Sequence, residues 1–493
     1  MHSRRAAAAL ELLIALGVLV FSISASISLV FGNQSVSVDT DTNSEALLLA
    51  EKNLEDARAN SRAVFNSVFS MDIAALNPLF TSALHVLDIS QCKKEVSSVV
   101  SWNVSPLRPR QVSLSTALVD VTSAIVLDGD CSDEGPGGPW DSPGSYDFSD
   151  PVHPGSAGTD IDVIKRTDGR FVLLTTDKVG TKETLWMIDV SDPQNIAPSL
   201  TDAYDTEADL FAVDATKDHA FATGASADQL QIINIANPAD LLLTATTSLP
   251  DADSGIGRSI YYYDNKIYVG TQYLPCPSCA SGQNNELHIF DVSDPASPSW
   301  KASINVDRNV NDIMVRDGLA YLAIGPGGTN DIFRIYDVDS SSATYLDEVG
   351  SFTVPGGEQG TSLYLLGNKV YLGRERTPSA RNDFYILDVS SPTSTTERWS
   401  GRLALNPGAE VVGIFVSGNL AFLSTNDTTP DNGGGPFMVY DISDPANPSL
   451  IIPCSSFNYS EKTTGMDFME GLIFTSNESQ DSIRIIYPEP SCS

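Results

Sequence analysis

A short run of apolar and aromatic residues that ends at an aspartate recurs along the chain from residue 185 onward. The clearest copy is LHIFDVSDPASP at Leu287–Pro298. Apolar alternation of this kind indicates a β-strand. The Asp, Ser and Pro that follow end the strand, because Asp and Ser side chains hydrogen-bond to nearby backbone and Pro fixes φ. Six clear copies occur at intervals of 45 to 57 residues, with the aspartate position at Asp189, Asn234, Asp291, Asp337, Asp388 and Asp441.

Each copy follows a pair of apolar segments joined by a tight turn, and another apolar segment follows it. The turns, such as Asp264-Asn265 and Asp317-Gly318, use residues that accept the positive φ of a two-residue hairpin. Units of about 50 residues with four strands each build a β-propeller. We therefore predict a mainly β fold with a seven-bladed β-propeller of four-stranded blades. The seven hairpins span Val163–Thr176, Leu210–Gly224, Ser259–Thr271, Asp312–Gly325, Ser362–Glu375, Gly413–Thr425 and Gly465–Asn477.

The repeated phrases resemble the LVIVD repeats, a propeller-forming family marked by two apolar residues followed by Asp-Val-Ser-Asn/Asp-Pro. The resemblance covers Thr159–Pro490, and Asn234 and the copy at Asp339-Ser340 depart from the pattern. It implies the same propeller that the strand count predicts.

The seventh unit ends soon after its third strand, so a closed ring needs a fourth strand from elsewhere. An open ring would leave two unpaired sheet edges. Asp147-Phe148-Ser149-Asp150-Pro151 echoes the repeated phrase ahead of the first unit. We expect the segment Tyr146–Ser156 to supply the missing strand. Cys454 and Cys492 lie near the terminal edges and are candidates for a covalent clasp.

The N-terminus begins with a short basic segment that contains Arg4 and Arg5, and it continues as an apolar run, Ala6–Phe31, that is long enough to cross a bilayer. Only Glu11 interrupts it, and a carboxylate in such a run is costly and therefore a functional candidate. The following segment, Ser44–Phe69, has apolar and acidic residues at helical spacing. The sequence predicts one long helix, or two nearly continuous ones, with an apolar first half.

This N-terminus resembles a type IV prepilin, in which a basic leader precedes an apolar helix with Glu at its fifth position. The resemblance implies cleavage between Ala6 and Ala7 by a prepilin peptidase, methylation of Ala7, and pairing of Glu11 with the terminal amine of a neighbouring pilin subunit. The family usually has Gly before the cut, where this chain has Ala6. The alternative is a simple signal anchor in which Glu11 faces a partner helix.

Two segments behind the helix extend the resemblance to the minor pilins known as pilus modification proteins. Cys92–Val104 alternates Val and Ser and contains Trp102, and Val112–Val121 follows after a Pro/Arg turn. We expect two short strands here, and Cys92 and Cys131 flank them as a candidate disulfide. The resemblance covers about Met1–Leu127. It implies an inner-membrane protein that moves into a pilus at the cell surface, with its propeller outside the cell.

The domain boundaries follow from these observations. We expect a leader at 1–6, a long helix at 7–69, a pilin-like β region at 70–131 and a linker with the closing strand at 132–158. The propeller is expected at 159–490. Gly, Pro, Ser and Asp dominate the linker, as is typical of a domain boundary.

Charge and cysteine content narrow the functional classes. The net charge is −34, with 63 acidic against 29 basic residues, which argues against binding to nucleic acid phosphates or to an anionic membrane surface. Six cysteines form an even set, which favours disulfides in an exported chain. Cys276 and Cys279 lie three positions apart in a Pro/Gly/Ser-rich loop. A stapled loop is the favoured interpretation, with a redox pair or half a zinc site as alternatives.

No cofactor motif occurs in the chain, and two acidic clusters are the candidates for Ca²⁺. One contains Asp128, Asp130, Asp133 and Glu134, without EF-hand spacing. The other runs from Asn426-Asp427 to Asp431-Asn432. The repeated aspartates recur with the fold and are expected to cap turns rather than to catalyse a reaction. Recognition is expected in the longer hairpin-to-phrase insertions, at Gln272–Glu286, Thr377–Asn382 and Asn426–Pro436.

The combined prediction is a non-enzymatic minor pilin that displays a propeller for adhesion or for binding an extracellular protein or glycan. One alternative is a membrane-anchored propeller enzyme that acts on extracellular polysaccharide, which requires clustered carboxylates at the channel mouth. Another is a structural spacer within a pilus tip complex.

Overall fold

The structure is a computed structural model, and it forms two compact units. The first comprises Met1–Leu87 and Lys94–Leu118, and the second comprises Asp88–Lys93 and Val119–Ser493. The structure describes residues 42–74, 77–105, 108–120, 122–123, 139–140, 143–148, 157–177, 179, 183–194, 200–225, 229–250, 256–274, 285–325, 330–356, 358–376, 382–403, 405–428, 435–451, 459, 461–478 and 482–488.

The first unit packs a helix against a four-stranded sheet. Residues 42–63 are helical, and a short 3-10 turn follows at Phe65–Ser67. The sequence led us to expect two short strands, but the unit has four, in the order β1-β2-β3-β4. Strand β2 was missed because its sequence does not alternate cleanly, with polar residues on both faces, such as the buried Ser82 and the exposed Thr81. The strands are β1 Met71–Ile73, β2 Phe80–Ser90, β3 Lys93–Ser105 and β4 Arg108–Val119.

Small residues on one face of the helix allow it to lie close to the sheet. Ala46 and Ala50 are fully buried and pack with Phe80, Val100 and Trp102 of the sheet. One turn on, the buried Asn53 amide donates to two sheet hydroxyls, at 2.7 and 3.0 Å. A buried amide is tolerated in an apolar interface when its hydrogen bonds are made.

The second unit is built from 28 strands. They are β5 Pro143–Phe148, β6 Gly158–Arg166, β7 Gly169–Thr176, β8 Leu185–Asp189, β9 Leu200–Tyr204, β10 Leu210–Ala215, β11 His219–Gly224, β12 Leu230–Asn234, β13 Leu242–Thr247, β14 Gly257–Tyr263, β15 Lys266–Thr271, β16 Leu287–Asp291, β17 Ser299–Ile304, β18 Val310–Arg316, β19 Leu319–Ile324, β20 Asp331–Asp337, β21 Glu348–Thr353, β22 Gly360–Leu366, β23 Lys369–Arg374, β24 Phe384–Asp388, β25 Thr396–Gly401, β26 Val411–Ser417, β27 Leu420–Thr425, β28 Phe437–Asp441, β29 Ser449–Leu450, β30 Thr463–Met469, β31 Leu472–Asn477 and β32 Ile483–Pro488. Another 3-10 turn lies at Pro392–Ser394.

These strands form seven sheets of four strands, which are the blades of the predicted propeller. Six blades take consecutive strands, from β6-β7-β8-β9 to β26-β27-β28-β29, and the seventh has the order β30-β31-β32-β5. The innermost strand comes first in the chain in six blades and is β30 in the seventh, and each packs on the innermost strand of the next blade. Buried residues of neighbouring blades therefore share one cluster, as Phe221 and Ile232 of blade 2 do with Ile267 and Phe290 of blade 3.

The repeated aspartate caps the turn after the third strand, as predicted. In all six clear copies its side-chain oxygen accepts the backbone N–H two residues later, at 2.8–3.0 Å. Asn234, which departs from the phrase, makes the same bond because an amide oxygen accepts as a carboxylate does. The hairpin turns have the expected positive φ, for example 51° and 55° at Asp264 and Asn265.

The ring closes through the segment ahead of the first blade. Strand β5 pairs antiparallel with β32, with Tyr146 opposite Ile485. The prediction of a closing strand is confirmed, but the strand is Pro143–Phe148 rather than Tyr146–Ser156. The echo of the repeated phrase did not give the bounds of this strand. In the other blades the phrase ends the third strand, whereas β5 is the fourth strand of its blade.

Several positions that the sequence analysis singled out near the termini and at cysteines lie outside the described residues. The predicted membrane-spanning segment, Ala6–Phe31, lies outside them. Among the residues that are described, no helix has both the length and the apolar character needed to cross a membrane. Cys92 is 1% exposed and disulfide-bonded. Its predicted partner, Cys131, lies outside the described residues, as do the other expected disulfide positions, Cys276, Cys279, Cys454 and Cys492.

Candidate functional site

The seven innermost strands surround a central cavity of about 580 Å³. Every innermost strand carries a β-bulge near its start. At four bulges a polar side chain reaches the next blade: Thr159 donates to the Leu210 carbonyl at 2.6 Å, and Thr464 donates to the Gly158 carbonyl at 2.8 Å. The equivalent bonds of Asn311 and Thr361 are 2.7 and 2.6 Å long. These bonds join adjacent blades around the cavity wall.

Carboxylates on the same strands also connect the blades. One oxygen of Asp160 accepts the Val213 N–H at 3.0 Å, and Asp312 accepts the Leu363 N–H at 2.7 Å. Asp214 and Asp467 do the same for their own neighbouring blades, at 2.5 and 2.8 Å. Four acidic side chains in the cavity wall thus cap the innermost backbone of the following blade.

Burial changes the protonation of two of these side chains. It raises the pKa of Asp160 to about 7, against the opposing effect of its backbone hydrogen bonds. It raises the pKa of Asp312 to about 7 as well, and the charge of Asp160 adds to the increase. A carboxyl group with a pKa near neutrality can hold a proton that it gives up in a reaction.

At the start of the innermost strands, where the long insertions also lie, the cavity carries a mixed polar rim. Glu410 accepts a hydrogen bond from the Gln359 amide at 2.9 Å. Burial raises the pKa of Glu410, and the nearby charge of Glu375 raises it further. Burial lowers the pKa of Arg258, which the charge of Glu410 partly offsets. The rim therefore offers both signs of charge.

A second cavity of about 500 Å³ lies between blades 4 and 5. Its apolar wall contains Phe352, whose ring meets that of Tyr385 edge-on at a centroid distance of 5.8 Å. Its described lining contains two charged residues, Glu397 and Arg374, and Arg374 is 1% exposed. The Arg374 Nη1 donates to the Asn382 carbonyl at 3.2 Å and to the Tyr385 hydroxyl at 3.1 Å, and Nη2 pairs with the Glu358 carboxylate.

A short polar chain lines the opposite side of this second cavity. The Asn382 amide donates to the Ser400 hydroxyl at 2.6 Å, which donates to the Glu397 carboxylate at 2.7 Å. Asn382 is the last residue of the insertion Thr377–Asn382, which we had singled out for recognition. The other residues of that insertion, 377–381, lie outside the described residues.

Sequence reasoning missed Arg374, although the repeats contain a signal for it. Arg374 ends the second strand of its blade opposite the first residue of the innermost strand. At this position the other six blades have uncharged residues, namely Thr176, Gly224, Thr271, Ile324, Thr425 and Asn477. A charged residue at one position of an otherwise uncharged register is visible once the seven units are aligned.

Another recurring polar position was also missed. The residue just before the third strand is Gln229 in blade 2, Glu286 in blade 3 and Asp383 in blade 5. Each accepts a backbone N–H from the segment after the outermost strand, at 2.8–3.1 Å. Burial raises the pKa of Glu286 to about 7. These side chains end the long insertions on the polar rim side and stabilise the fold there.

Of the proposed calcium ligands, only Asn426, Asp427 and part of its loop are described. Both carboxylate oxygens of Asp427 accept from Asn406, at 2.7 and 2.9 Å. Asp431, Asn432 and the cluster Asp128, Asp130, Asp133 and Glu134 lie outside the described residues, as do the pilin-type positions Ala6, Ala7 and Glu11. Within the described ranges, no group of three or more His, Cys, Asp or Glu side chains could hold a metal ion.

Comparison with known proteins supports the repeat assignment. The LVIVD repeat model matches residues 280–306, 379–400 and 410–455, which fall in blades 3, 5 and 6. No curated protein matches the chain. Among solved structures, a catalytically inactive virginiamycin B lyase from Staphylococcus aureus with quinupristin is 14% identical, with a TM-score of 0.48, and covers 71% of this chain and 100% of its own. BamB from Moraxella catarrhalis is 10% identical, with a TM-score of 0.40, and covers 71% of this chain and 98% of its own.

Proposed function

We propose that this protein is a non-enzymatic minor pilin that displays its propeller outside the cell as a binding module. The N-terminal helix is inserted in the inner membrane, a prepilin peptidase cuts between Ala6 and Ala7, and Glu11 pairs with a neighbouring pilin subunit. The protein then stands in a pilus at the cell surface. The observation that carries the proposal is the first unit, in which a helix with small buried residues packs on a four-stranded sheet directly after an apolar N-terminal run.

A binding role, rather than a catalytic one, is supported by what the cavity carboxylates do. Asp160, Asp214, Asp312 and Asp467 each accept a backbone N–H of the next blade. A side chain that holds two blades together is poorly placed to move toward a substrate. Recognition is assigned instead to the rim and to the cavity between blades 4 and 5, where polar and aromatic side chains face a concave space.

One observation favours an enzyme as the second candidate. Asp160 and Asp312 both have a pKa of about 7, which suits a general acid in glycoside cleavage. In this case the purified protein should depolymerise an extracellular polysaccharide, and Asp312→Asn should abolish that activity. Full activity of the Asp312→Asn variant would remove this candidate.

The test of the proposed function is mass spectrometry of the mature N-terminus in surface filaments sheared from cells. Methylated Ala7 as the first residue is the expected result. Glu11→Ala should leave the protein in the inner membrane and remove it from the filaments, because a pilin without this carboxylate cannot neutralise a neighbouring amine. Glu45→Ala, on the exposed part of the helix, is the matched control and should assemble normally. An intact Met1 in the surface protein would refute the proposal.

A further inference from the structure

We propose that the cavity between blades 4 and 5 binds a neutral saccharide residue, with Arg374 and Phe352 as its main contacts. The inference rests on the proposed binding function and names its ligand class. The cavity measures about 500 Å³, within the range of roughly 300–1,000 Å³ that is typical of small-molecule sites.

The first argument is that the fold does not require an arginine at position 374. The same register position is occupied by Thr in three blades and by Gly, Ile or Asn in the others. A guanidinium that is 1% exposed is costly to desolvate, even when it is paired with Glu358. The other six blades fold without a charged residue at this position. We therefore assign the buried guanidinium of Arg374 a role in recognition.

The second argument is a hydrogen-bond donor that lacks an acceptor. The Nε of Arg374 is buried and has no hydrogen-bond partner among the described residues. Nη1 donates to Asn382 and Tyr385, and Nη2 forms an ion pair with the Glu358 carboxylate without hydrogen-bond geometry. A buried donor without an acceptor costs about 1–3 kcal/mol. Because Arg374 lines the cavity, an oxygen of a bound ligand would supply the acceptor.

The cavity also contains a hydrogen-bond acceptor to which a ligand can donate. On its other side, the chain from Asn382 through Ser400 ends at Glu397, which is exposed and only accepts. A ligand that both accepts and donates at short spacing is rich in hydroxyl groups. Phe352 adds a half-buried ring, and aromatic rings present an apolar surface against the C–H face of a sugar.

The charges favour a neutral sugar over an acidic one. The guanidinium is already paired with the Glu358 carboxylate, and Glu397 adds a second negative charge at the opening. An acidic sugar would meet the Glu397 carboxylate and a guanidinium whose charge Glu358 already balances. A hydroxyl group meets no such repulsion, because it can accept from Arg374 and donate to Glu397.

The test is an array of neutral oligosaccharides, acidic oligosaccharides and peptides, probed with the labelled full chain. Binding to neutral oligosaccharides is expected, followed by titration of the strongest ligand. Phe352→Ala should weaken binding about tenfold or more, because the apolar wall is lost. Trp300→Ala is the matched control, since Trp300 is an exposed aromatic residue on the outermost strand of the neighbouring blade and does not line the cavity. It should bind as the unaltered protein does.

Arg374 is tested with its charge partner, so that no buried ion is left alone. The double variant Arg374→Thr/Glu358→Gln places at position 374 the threonine that three other blades have at the equivalent position. It should keep its melting temperature within a few degrees and lose binding about tenfold or more, as expected for a lost charged hydrogen bond. If this variant does not fold, Phe352→Ala decides the question.

The saccharide assignment is overturned if the folded protein binds no neutral oligosaccharide, prefers acidic ones or binds only peptides. It is also overturned if Trp300→Ala loses as much affinity as Phe352→Ala. These results leave the pilin proposal untouched, because methylation of Ala7 is measured independently. Conversely, saccharide binding by a surface protein with an intact Met1 would support the saccharide site and refute the pilin proposal.

Discussion

The closing strand should contribute a large part of the stability of the propeller, and Trp140 allows a direct test. Trp140 lies just before β5 and is 3% exposed. Its ring meets that of Phe422 edge-on at 4.7 Å and lies 6.2 Å from that of Phe437. The cluster around it joins blade 6 to blade 7. The side chain thus anchors the segment that closes the ring.

The magnitude follows from this burial. A Trp side chain buries about 150–250 Å², which at about 25 cal/mol per Å² corresponds to about 4–6 kcal/mol. Measured Trp→Ala changes in protein cores are about 3–5 kcal/mol. We therefore expect Trp140→Ala to lower the free energy of unfolding by about 3–5 kcal/mol, a large share of the roughly 5–15 kcal/mol that stabilises a typical domain.

Two measurements check this prediction. Urea denaturation followed by circular dichroism gives the change in unfolding free energy, with Trp300→Ala as the control. Trp300 is 47% exposed, so its loss should cost less than about 1 kcal/mol. Hydrogen exchange should become faster in β32, because β5 detaches and leaves that strand as an open edge. Equal effects of the two substitutions, or unchanged protection of β32, would refute the anchoring role of Trp140.

Three further predictions concern the blades and the first unit. Gly373→Ala should lower unfolding stability by about 1–3 kcal/mol in urea denaturation, because a Cβ there would lie 2.6 Å from the Ser362 hydroxyl and 2.7 Å from Val411; unchanged stability would show that the blades can separate at no cost. Asp312 has a folded pKa of about 7, above that of an unfolded carboxyl, so its contribution is fully present below about pH 4 and is lost as the pH rises through 7. Asp312→Asn should therefore flatten the decline in melting temperature between pH 5 and 8, whereas the exposed Asp444→Asn should not, and an unaltered slope in Asp312→Asn would contradict the assigned pKa. Asn53→Ala should destabilise the first unit by about 1–3 kcal/mol, since two buried hydroxyls lose their amide donor, while the exposed control Glu51→Ala should have little effect in the same thermal melt; matching melts for the two would argue against this buried polar contact.

The sequence predicted the propeller well because its strands are local and repeated. The alternation in Leu287–Pro298 is visible within a dozen residues, and so is the aspartate that caps the turn. The prediction was weaker in the first unit, where strand β2 was missed. Its pattern is irregular, since one face lies under a helix and the other is half-covered.

The sites were harder to predict than the fold. The insertion Thr377–Asn382 ends beside the cavity that we propose as a binding site, but Arg374 and Phe352 belong to different blades and are brought together only by packing. The same holds for the cavity carboxylates: Asp467 accepts from Val163, which lies 304 positions away. No local pattern encodes such a distance.

Taken alone, the sequence determined the number of blades, the strands in each and the turns between them. Each depends on side-chain alternation, on φ preferences and on hydrogen bonds between near neighbours, which act over a few residues. The tertiary structure decided where the ring closes, which carboxylates share a cavity, and that Arg374 is buried beside a space with one donor left over. These features depend on how blades pack against one another, because burial and desolvation are properties of the assembled ring.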